Sequence, residues 1–304
     1  MYRYQFAENP VYRKFCELIH RTPENVTALE EIPFLPISFF KSHPVMSGTF
    51  APEITFSSSG TTGELTSKHA VKSLDLYVQS FTTGFREFYG DIENYVVLAL
   101  LPSYLEREGS SLVLMADELI KRSKSDHSGF YLNNYNALIE KIEYLEQQGK
   151  TILLLGVTYA LLDLAEMGPF QWSNTVVMET GGMKGRRREM IREELHQQLC
   201  HQLGVASVHS EYGMTELLSQ AYSLGNGRFA CAPWMQVLIR DTEDPLTWQP
   251  HGKTGGINVV DLANLHSCAF IATQDLGKMH ADGTFEVLGR FDHADIRGCN
   301  LMVL

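Results

Sequence analysis

The run TILLLG at residues 151–156 is the stretch on which the fold prediction rests. It has the length of a strand and lacks the apolar–polar alternation of a strand with one wet face, so both faces should be buried. A helical pattern ending at Gly149 precedes it over 136–148, and another follows over 158–166. A buried strand between two helices is typical of a parallel sheet covered on both sides.

The same alternation of strands and helices extends outward along the chain. Further apolar strands are predicted at YVVLALLP (95–102), TVVM (175–178) and VASVH (205–209), and further helices at 74–89 and 184–202. We therefore predict an α/β fold, with a mostly parallel sheet covered by helices.

The two ends of the sequence have a different texture. Asn9-Pro10 predicts the start of a capped helix whose buried face carries Val11, Phe15, Leu18 and Ile19. EEIPFLPISFFKSHPV (30–45) contains three prolines, which favour a buried extended segment. From about residue 226, short apolar segments between turn residues predict a smaller β-rich subdomain. The predicted division is residues 1–225 and 226–304.

Composition excludes several classes of protein. Of the 304 residues, 44% are hydrophobic and 20% are charged, which is globular and argues against a disordered chain. The net charge of −11 argues against a nucleic-acid partner. We find no signal peptide, no run long enough for a membrane span and no CxxC pair among the five cysteines. We expect free thiols, a reducing compartment and a cytoplasmic location.

A loop rich in glycine and hydroxyl side chains, FSSSGTTGELTSKH (56–69), has two interpretations. It could be a solvated linker, or a loop whose converging backbone N–H groups and hydroxyls bind phosphate. Neither the Walker pattern nor GxGxxG is met, so a P-loop NTPase or a Rossmann dinucleotide site is not supported. His69, beside the loop, is interpreted as a structural histidine.

Three later stretches favour a nucleotide site, and each also has a purely structural alternative. HSEYGMTE (209–216) offers an aromatic ring, a hydroxyl and a carboxylate, but could be a turn at a strand end. TQDLGKMHADGTFEVLGRFDHADIRG (273–298) offers an aspartate and an arginine for a ribose, but could be a β-hairpin turning at Asp282-Gly283. METGGMKG (178–185) offers a glycine pair that an adenine could lie against, but could be a strand-to-helix turn.

In this order, the stretches SSSGTTG, EYGMTE, TQDLG and GRFDHADIRG resemble the motifs of the acyl-adenylate-forming superfamily. A narrower similarity, to LuxE-type acyl-protein synthetases, is carried by EEIPFLPISFFKSHPV, TSKH, LPSYLEREGSSLVLM (101–115) and ETGGMKG, and covers nearly the whole chain. The resemblance implies the large domain of these enzymes, with a smaller β-rich C-terminal part.

The resemblance also implies a set of site residues. ATP phosphates would bind in the loop, adenine between a glycine pair and a tyrosine, ribose at an aspartate and an arginine, and Mg²⁺ at Glu216. The implied cofactor-binding residues are Ser58, Ser59, Gly60, Thr61, Thr62, Gly63, Gly181, Gly182, Tyr212, Gly213, Asp275 and Arg290. The implied catalytic residues are Thr215 and Glu216.

The implied activity is ATP-dependent activation of a carboxylic acid, with a fatty acid as the first expectation, followed by transfer of the acyl group to a thiol. The acceptor would be coenzyme A, a phosphopantetheine carrier or a cysteine, and an acyl-carrier protein or a reductase would be the partner. The sequence ends at Leu304, so we expect the mobile C-terminal lid and its lysine to be absent. Two alternatives stay open: an ATP-independent acyltransferase, and a non-catalytic module that binds a nucleotide or acyl-adenylate.

Overall fold

The computed structural model describes residues 1–58, 65–101, 109–181 and 190–291. Within these ranges the α-helices are α1 (Tyr2–Glu8), α2 (Pro10–Leu18), α3 (Phe39–Ser42), α4 (Leu74–Tyr89), α5 (Ser111–Arg122), α6 (Tyr135–Gln147), α7 (Thr158–Ala165) and α8 (Arg192–Leu203). The strands are β1 (Leu35–Pro36), β2 (Ile54–Ser57), β3 (Lys68–Val71), β4 (Val96–Leu100), β5 (Gly129–Tyr131), β6 (Ile152–Val157), β7 (Thr175–Thr180), β8 (Val208–Tyr212), β9 (Ala221–Ser223), β10 (Ala230–Cys231), β11 (Met235–Arg240), β12 (Thr254–Asp261), β13 (Phe270–Met279) and β14 (Phe285–Arg290). Short 3-10 turns occupy Leu29–Glu31 and Ile92–Asn94.

The larger sheet has the strand order β10-β9-β8-β7-β6-β4-β5. The five strands from β8 to β5 run parallel, and β9 and β10 are antiparallel additions at one edge. Every residue of β4 and β6 is buried, as their unbroken apolar sequences predict for strands covered on both faces. The predicted α/β class and parallel sheet are therefore confirmed.

The smaller sheet is made of β11, β12, β13 and β14 in antiparallel pairing, with β1 added in parallel to β13. This confirms that the sequence after residue 226 is rich in strands. The first two helices pack against the same sheet. The Gln5 and Asn9 side chains donate to the backbone carbonyls of Asn264 and Ser267, in the connection between β12 and β13, at 2.8 and 3.0 Å. The division at residue 225 stays a prediction, and the N-terminal residues share their core with the C-terminal strands.

A two-stranded antiparallel hairpin, β2–β3, stands apart from both sheets. It brackets the predicted phosphate loop, since β2 ends at Ser57 and β3 begins at Lys68. The amide of Ser57 donates to the carbonyl of Gly109 at 2.9 Å, which ties the end of β2 to the segment before α5.

Several local predictions were wrong in detail. Helix α2 buries Tyr12 and Cys16, whereas Leu18 is 66% exposed. The Tyr12 ring stacks on Phe270 and its hydroxyl donates to a backbone carbonyl, and these contacts turn the helix away from the predicted face. Strand β8 begins at Val208 rather than 205, because α8 continues to Leu203 and residues 204–207 make the connection.

The remaining differences concern a proline-rich segment and a helix start. The predicted extended segment at 30–45 is divided into a 3-10 turn, the two-residue strand β1 and the one-turn helix α3. The described part of the helix predicted at 184–202 begins at Arg192, and residues 182–189 lie outside the described residues. Among the described helices, none has both the length and the apolar character that crossing a bilayer requires.

Candidate active site

The neck of the phosphate loop is closed by two serines. The amide of Ser58 donates to the carbonyl of Ser67 at 3.1 Å, and the amide of Ser67 donates to Oγ of Ser58 at 2.9 Å. The other predicted loop residues, 59–63, lie outside the described residues. Ser58 therefore has a defined part in holding the two ends of the loop together.

Tyr212, Asp275 and Arg290, from two distant predicted motifs, are in contact. The hairpin β13–β14 places Asp275 directly opposite Arg290, and the Asp275 Oδ1 and Arg290 Nε atoms lie 3.3 Å apart. The Tyr212 hydroxyl donates to Oδ2 of Asp275 at 2.8 Å. Asp275 is nearly buried whereas the Arg290 side chain is 78% exposed, so the guanidinium reaches the carboxylate from the solvent side.

The Tyr212 ring lies inside the protein. It is 8% exposed and packs edge-on against Phe229 and Phe285, with ring centroids 6.0 and 5.7 Å apart. Burial, followed by the charge of Asp275, raises the pKa of its hydroxyl well above the usual value. The hydroxyl therefore stays protonated and orients the carboxylate, while the predicted contact of this ring with adenine stays a prediction.

Thr215 and Glu216 follow β8 in a segment without regular structure. The Glu216 side chain is buried, and burial raises the pKa of its carboxyl. The neighbouring Ser67 hydroxyl and the charges of Arg290 and Lys41 favour the ionised form and only partly offset this effect. Glu216 thus lies beside the neck of the phosphate loop, within the electrostatic influence of the β13–β14 hairpin.

The two described glycines of the predicted site, Gly181 and Gly213, are each favoured over other residues for a different structural reason. Gly181 directly follows β7 at a φ of +74°, a conformation that favours glycine, and its carbonyl accepts a hydrogen bond of 2.5 Å from the Thr158 hydroxyl. At Gly213, a Cβ atom would lie 2.3 Å from Oε1 of Glu211. Glycine at 213 therefore makes room for a buried carboxyl. Gly182 lies outside the described residues.

Sequence reasoning missed two buried glutamates at the carboxyl ends of adjacent parallel strands. Glu179 on β7 accepts from the Thr158 hydroxyl and pairs with Arg192, and Glu211 on β8 accepts from the Thr180 hydroxyl. The only signal was for Glu179, which directly follows the apolar run TVVM (175–178), since the strand VHSEY that carries Glu211 is not apolar.

The pKa values of the two glutamates are shifted in opposite directions. Burial, with the charge of Glu179 adding to it, raises the pKa of Glu211 to about 7. Burial alone would also raise the pKa of Glu179, but hydrogen bonding from His196 and the charge of Arg192 outweigh it and lower that pKa. At neutral pH Glu179 is therefore charged, whereas Glu211 is partly protonated.

Solved structures of similar fold include a CoA ligase, a MatB protein and a luciferase-like enzyme. A 2-hydroxyisobutyryl-CoA ligase in complex with 2-HIB-AMP and CoA matches with a TM-score of 0.71 and 14% identity, covering 96% of this chain and 66% of that one. ATP-bound MatB from Rhodopseudomonas palustris matches with a TM-score of 0.59 and 17% identity, covering 80% of this chain and 49% of that one. A luciferase-like enzyme from the mealworm Zophobas morio matches with a TM-score of 0.52 and 17% identity, covering 81% of this chain and 60% of that one.

These likenesses show the fold, which is that of the large domain of acyl-adenylate-forming enzymes. The chain spans about half the length of the MatB structures it matches. A search among curated proteins found no match. A family model described as acyl-protein synthetase, LuxE, matches residues 1–304. The chain therefore belongs to the LuxE acyl-protein synthetase family.

Proposed function

We propose that this protein activates a carboxylic acid as its acyl-AMP at the expense of ATP and passes the acyl group to a thiol. The observation that carries the proposal is the convergence of three separate stretches. Glu216 lies beside Ser67 at the loop neck, and Asp275 is held by Tyr212 and Arg290. Membership of the LuxE family and a fold shared with acid-activating enzymes support the same reading.

In the proposed first step, a carboxylate oxygen of the acid attacks the α-phosphorus of ATP. The new O–P bond forms as the bond from the α-phosphorus to pyrophosphate breaks, and pyrophosphate leaves with the electron pair. The loop held by Ser58 and Ser67 would receive the phosphates. Asp275, which keeps its orientation through Tyr212, would accept from the ribose hydroxyls. Positioning and charge neutralisation supply most of the rate enhancement in such reactions.

Mg²⁺ fits this site through a single protein carboxylate, that of Glu216. Across the described ranges no group of three or more His, Cys, Asp or Glu side chains could hold a metal ion. A lone carboxylate suits Mg²⁺, which keeps several waters and takes its other ligands from substrate phosphates. The bound ion would neutralise phosphate charge. Because the pKa of Glu216 is raised, protons would compete with the metal more strongly than at an exposed glutamate.

In the proposed second step, the sulfur of a thiol attacks the acyl carbon and forms a thioester. The bond from the acyl carbon to the AMP oxygen breaks, AMP leaves with the electron pair and the thiol proton passes to solvent. Thiolates are the reactive form of cysteine. Burial raises the pKa of each of the four described cysteines, Cys16, Cys200, Cys231 and Cys268. This favours an acceptor thiol that is none of these four. Coenzyme A and a phosphopantetheine carrier are the proposed acceptors, and a fatty acid is the proposed substrate.

The test is acid-dependent exchange of radiolabelled pyrophosphate into ATP, measured over a panel of fatty and aryl acids. Glu216→Gln and Asp275→Asn keep side-chain shape and remove the charge, so both should abolish most of the exchange. Glu243→Gln and Asp126→Asn, at exposed positions, are the matched controls. ATP binding without exchange for any acid would favour a binding module. If the wild-type protein does not bind ATP, the result would favour the alternative of an ATP-independent acyltransferase.

A further inference from the structure

Residues 214–219, which include Thr215 and Glu216, are buried over most of their length but belong to no strand or helix. Backbone N–H and C=O groups removed from water need partners, and a segment outside a sheet must find them elsewhere. One bond is internal, from the amide of Leu217 to the carbonyl of Met214 at 3.1 Å. Within the described part of the chain, the other backbone hydrogen bonds of this segment are made with buried side chains.

Three side chains, which we call the 214–219 clamp, supply them: His69, Asp261 and Asn264. Nδ1 of His69 donates to the carbonyl of Thr215 at 2.9 Å, and Nδ2 of Asn264 donates to the carbonyl of Glu216 at 2.8 Å. The Asp261 carboxylate accepts from the amides of Leu218 and Ser219 at 2.8 and 3.0 Å. All three side chains are at most 1% exposed, so these hydrogen bonds are shielded from competing water.

His69 links the clamp to the phosphate loop. It lies on β3, two residues after Ser67 at the loop neck, and its ring packs edge-on against Phe40. Burial lowers the pKa of its imidazole to about 4, so at neutral pH the ring is uncharged and its single N–H is the one that faces Thr215. A shift of the β2–β3 hairpin would therefore move the Thr215 carbonyl with it.

We propose that His69 and Asn264 are positioning residues that set the direction of the Thr215 and Glu216 side chains at the phosphate loop. They hold two consecutive carbonyls, which fixes the peptide planes from which both side chains project. The proposal deepens the function proposed above and rests on it. Residues that orient ligating groups in this indirect way typically contribute about 10- to 100-fold to metal affinity or activity.

The decisive variants differ in whether a hydrogen-bond donor remains at position 69 or 264. His69→Leu and Asn264→Leu remove the donor, whereas His69→Asn keeps an N–H close to the position of Nδ1. Tyr12→Phe is the control, since it removes one buried hydrogen bond, of 2.7 Å to the carbonyl of Pro33, in which no residue of 214–219 takes part. If His69→Leu fails to fold, His69→Gln, which carries its amide one carbon further out, replaces it.

Two readouts on the full chain test the proposal. Hydrogen exchange of peptides covering 213–220 should speed up in both Leu variants and stay close to wild type in His69→Asn and Tyr12→Phe. In pyrophosphate exchange, the Leu variants should raise the Mg²⁺ concentration needed for half-maximal rate by about 10- to 100-fold, with the KM for the acid little changed.

Equal behaviour of His69→Leu and His69→Asn in both readouts would overturn the proposal, as would unchanged exchange of 213–220 in the Leu variants. If the wild type shows no pyrophosphate exchange with any acid, the proposed function fails. Hydrogen exchange then still decides whether the two side chains hold this segment.

Discussion

The buried carboxyl of Glu211 gives a stability prediction whose size follows from the structure. Its pKa is about 7 in the folded protein, against 4.5 for an ordinary glutamate. Between these values the folded state holds more protons than the unfolded state, so the free energy of unfolding falls as pH rises through this window. A separation of about 2.5 pH units corresponds to about 3 kcal/mol, at about 1.4 kcal/mol per unit.

Glu211→Gln removes the ionisation and keeps an oxygen that can accept from the Thr180 hydroxyl. We expect the variant to be close to wild type in stability at pH 4.5 and more stable by about 3 kcal/mol above pH 7.5. Urea unfolding followed by circular dichroism, at half-unit steps from pH 4.5 to 8, measures the difference. Glu143→Gln on the exposed side of α6 is the matched control and should give no such trend.

Parallel pH profiles for wild type and Glu211→Gln would refute the reasoning, because they would mean that Glu211 titrates alike in both states. A difference that grows toward low pH would also refute it, since it would show that the folded state favours the charged carboxylate.

Three further changes test other contacts. Tyr212→Phe removes the hydroxyl that donates to Asp275 and should lower the free energy of unfolding, measured in urea, by about 1.5–3 kcal/mol. It should also raise the KM for ATP in pyrophosphate exchange, and an unchanged KM would argue against a nucleotide role for this pair. Gly213→Ala should cost about 1–3 kcal/mol by overlap with Glu211, and a smaller cost in a Glu211→Ala background would identify the clash. The wild type should lose stability relative to His69→Asn as pH falls from 6.5 toward 4, because the imidazole binds a proton in the unfolded chain but not in the folded core. Urea unfolding at pH 7 and pH 4.5 measures the difference in stability between the two proteins. An equal difference at both pH values would contradict the prediction.

The parallel sheet could be predicted because its central strands carry their own signal. A strand covered on both faces must be apolar throughout, and β4 and β6 are. The face of α2 could not be predicted in the same way. Its nine residues offer several apolar stripes, and the contact of Tyr12 with Phe270, more than 200 positions away, helps decide which stripe is buried.

Part of the candidate site could also be predicted from a local signal in the sequence. The turn at Asp282-Gly283 predicts a hairpin between the stretches that carry Asp275 and Arg290. Their exact pairing also depends on a register shift between Leu276 and Gly277, which the turn does not predict. No such signal indicated the ion pair of Glu179 with Arg192, or the hydrogen bonds that Asp261 accepts from the amides of Leu218 and Ser219. These contacts depend on which strands become neighbours in the folded protein, and the strand order of a sheet cannot be derived from a single sequence.

The pairing of β1 with β13 has a consequence for biosynthesis. Leu35 lies opposite Ile271, so the first 45 residues emerge from the ribosome more than 200 residues before their partner strand exists. At roughly 5–20 residues per second, this leaves them without that partner for roughly 10–50 s. Tyr12 and Phe34, whose rings pack against Phe270 of β13 in the finished core, lack that contact during the interval. The nascent chain should then depend on chaperones, and a premature stop before β13 should release a product prone to aggregation.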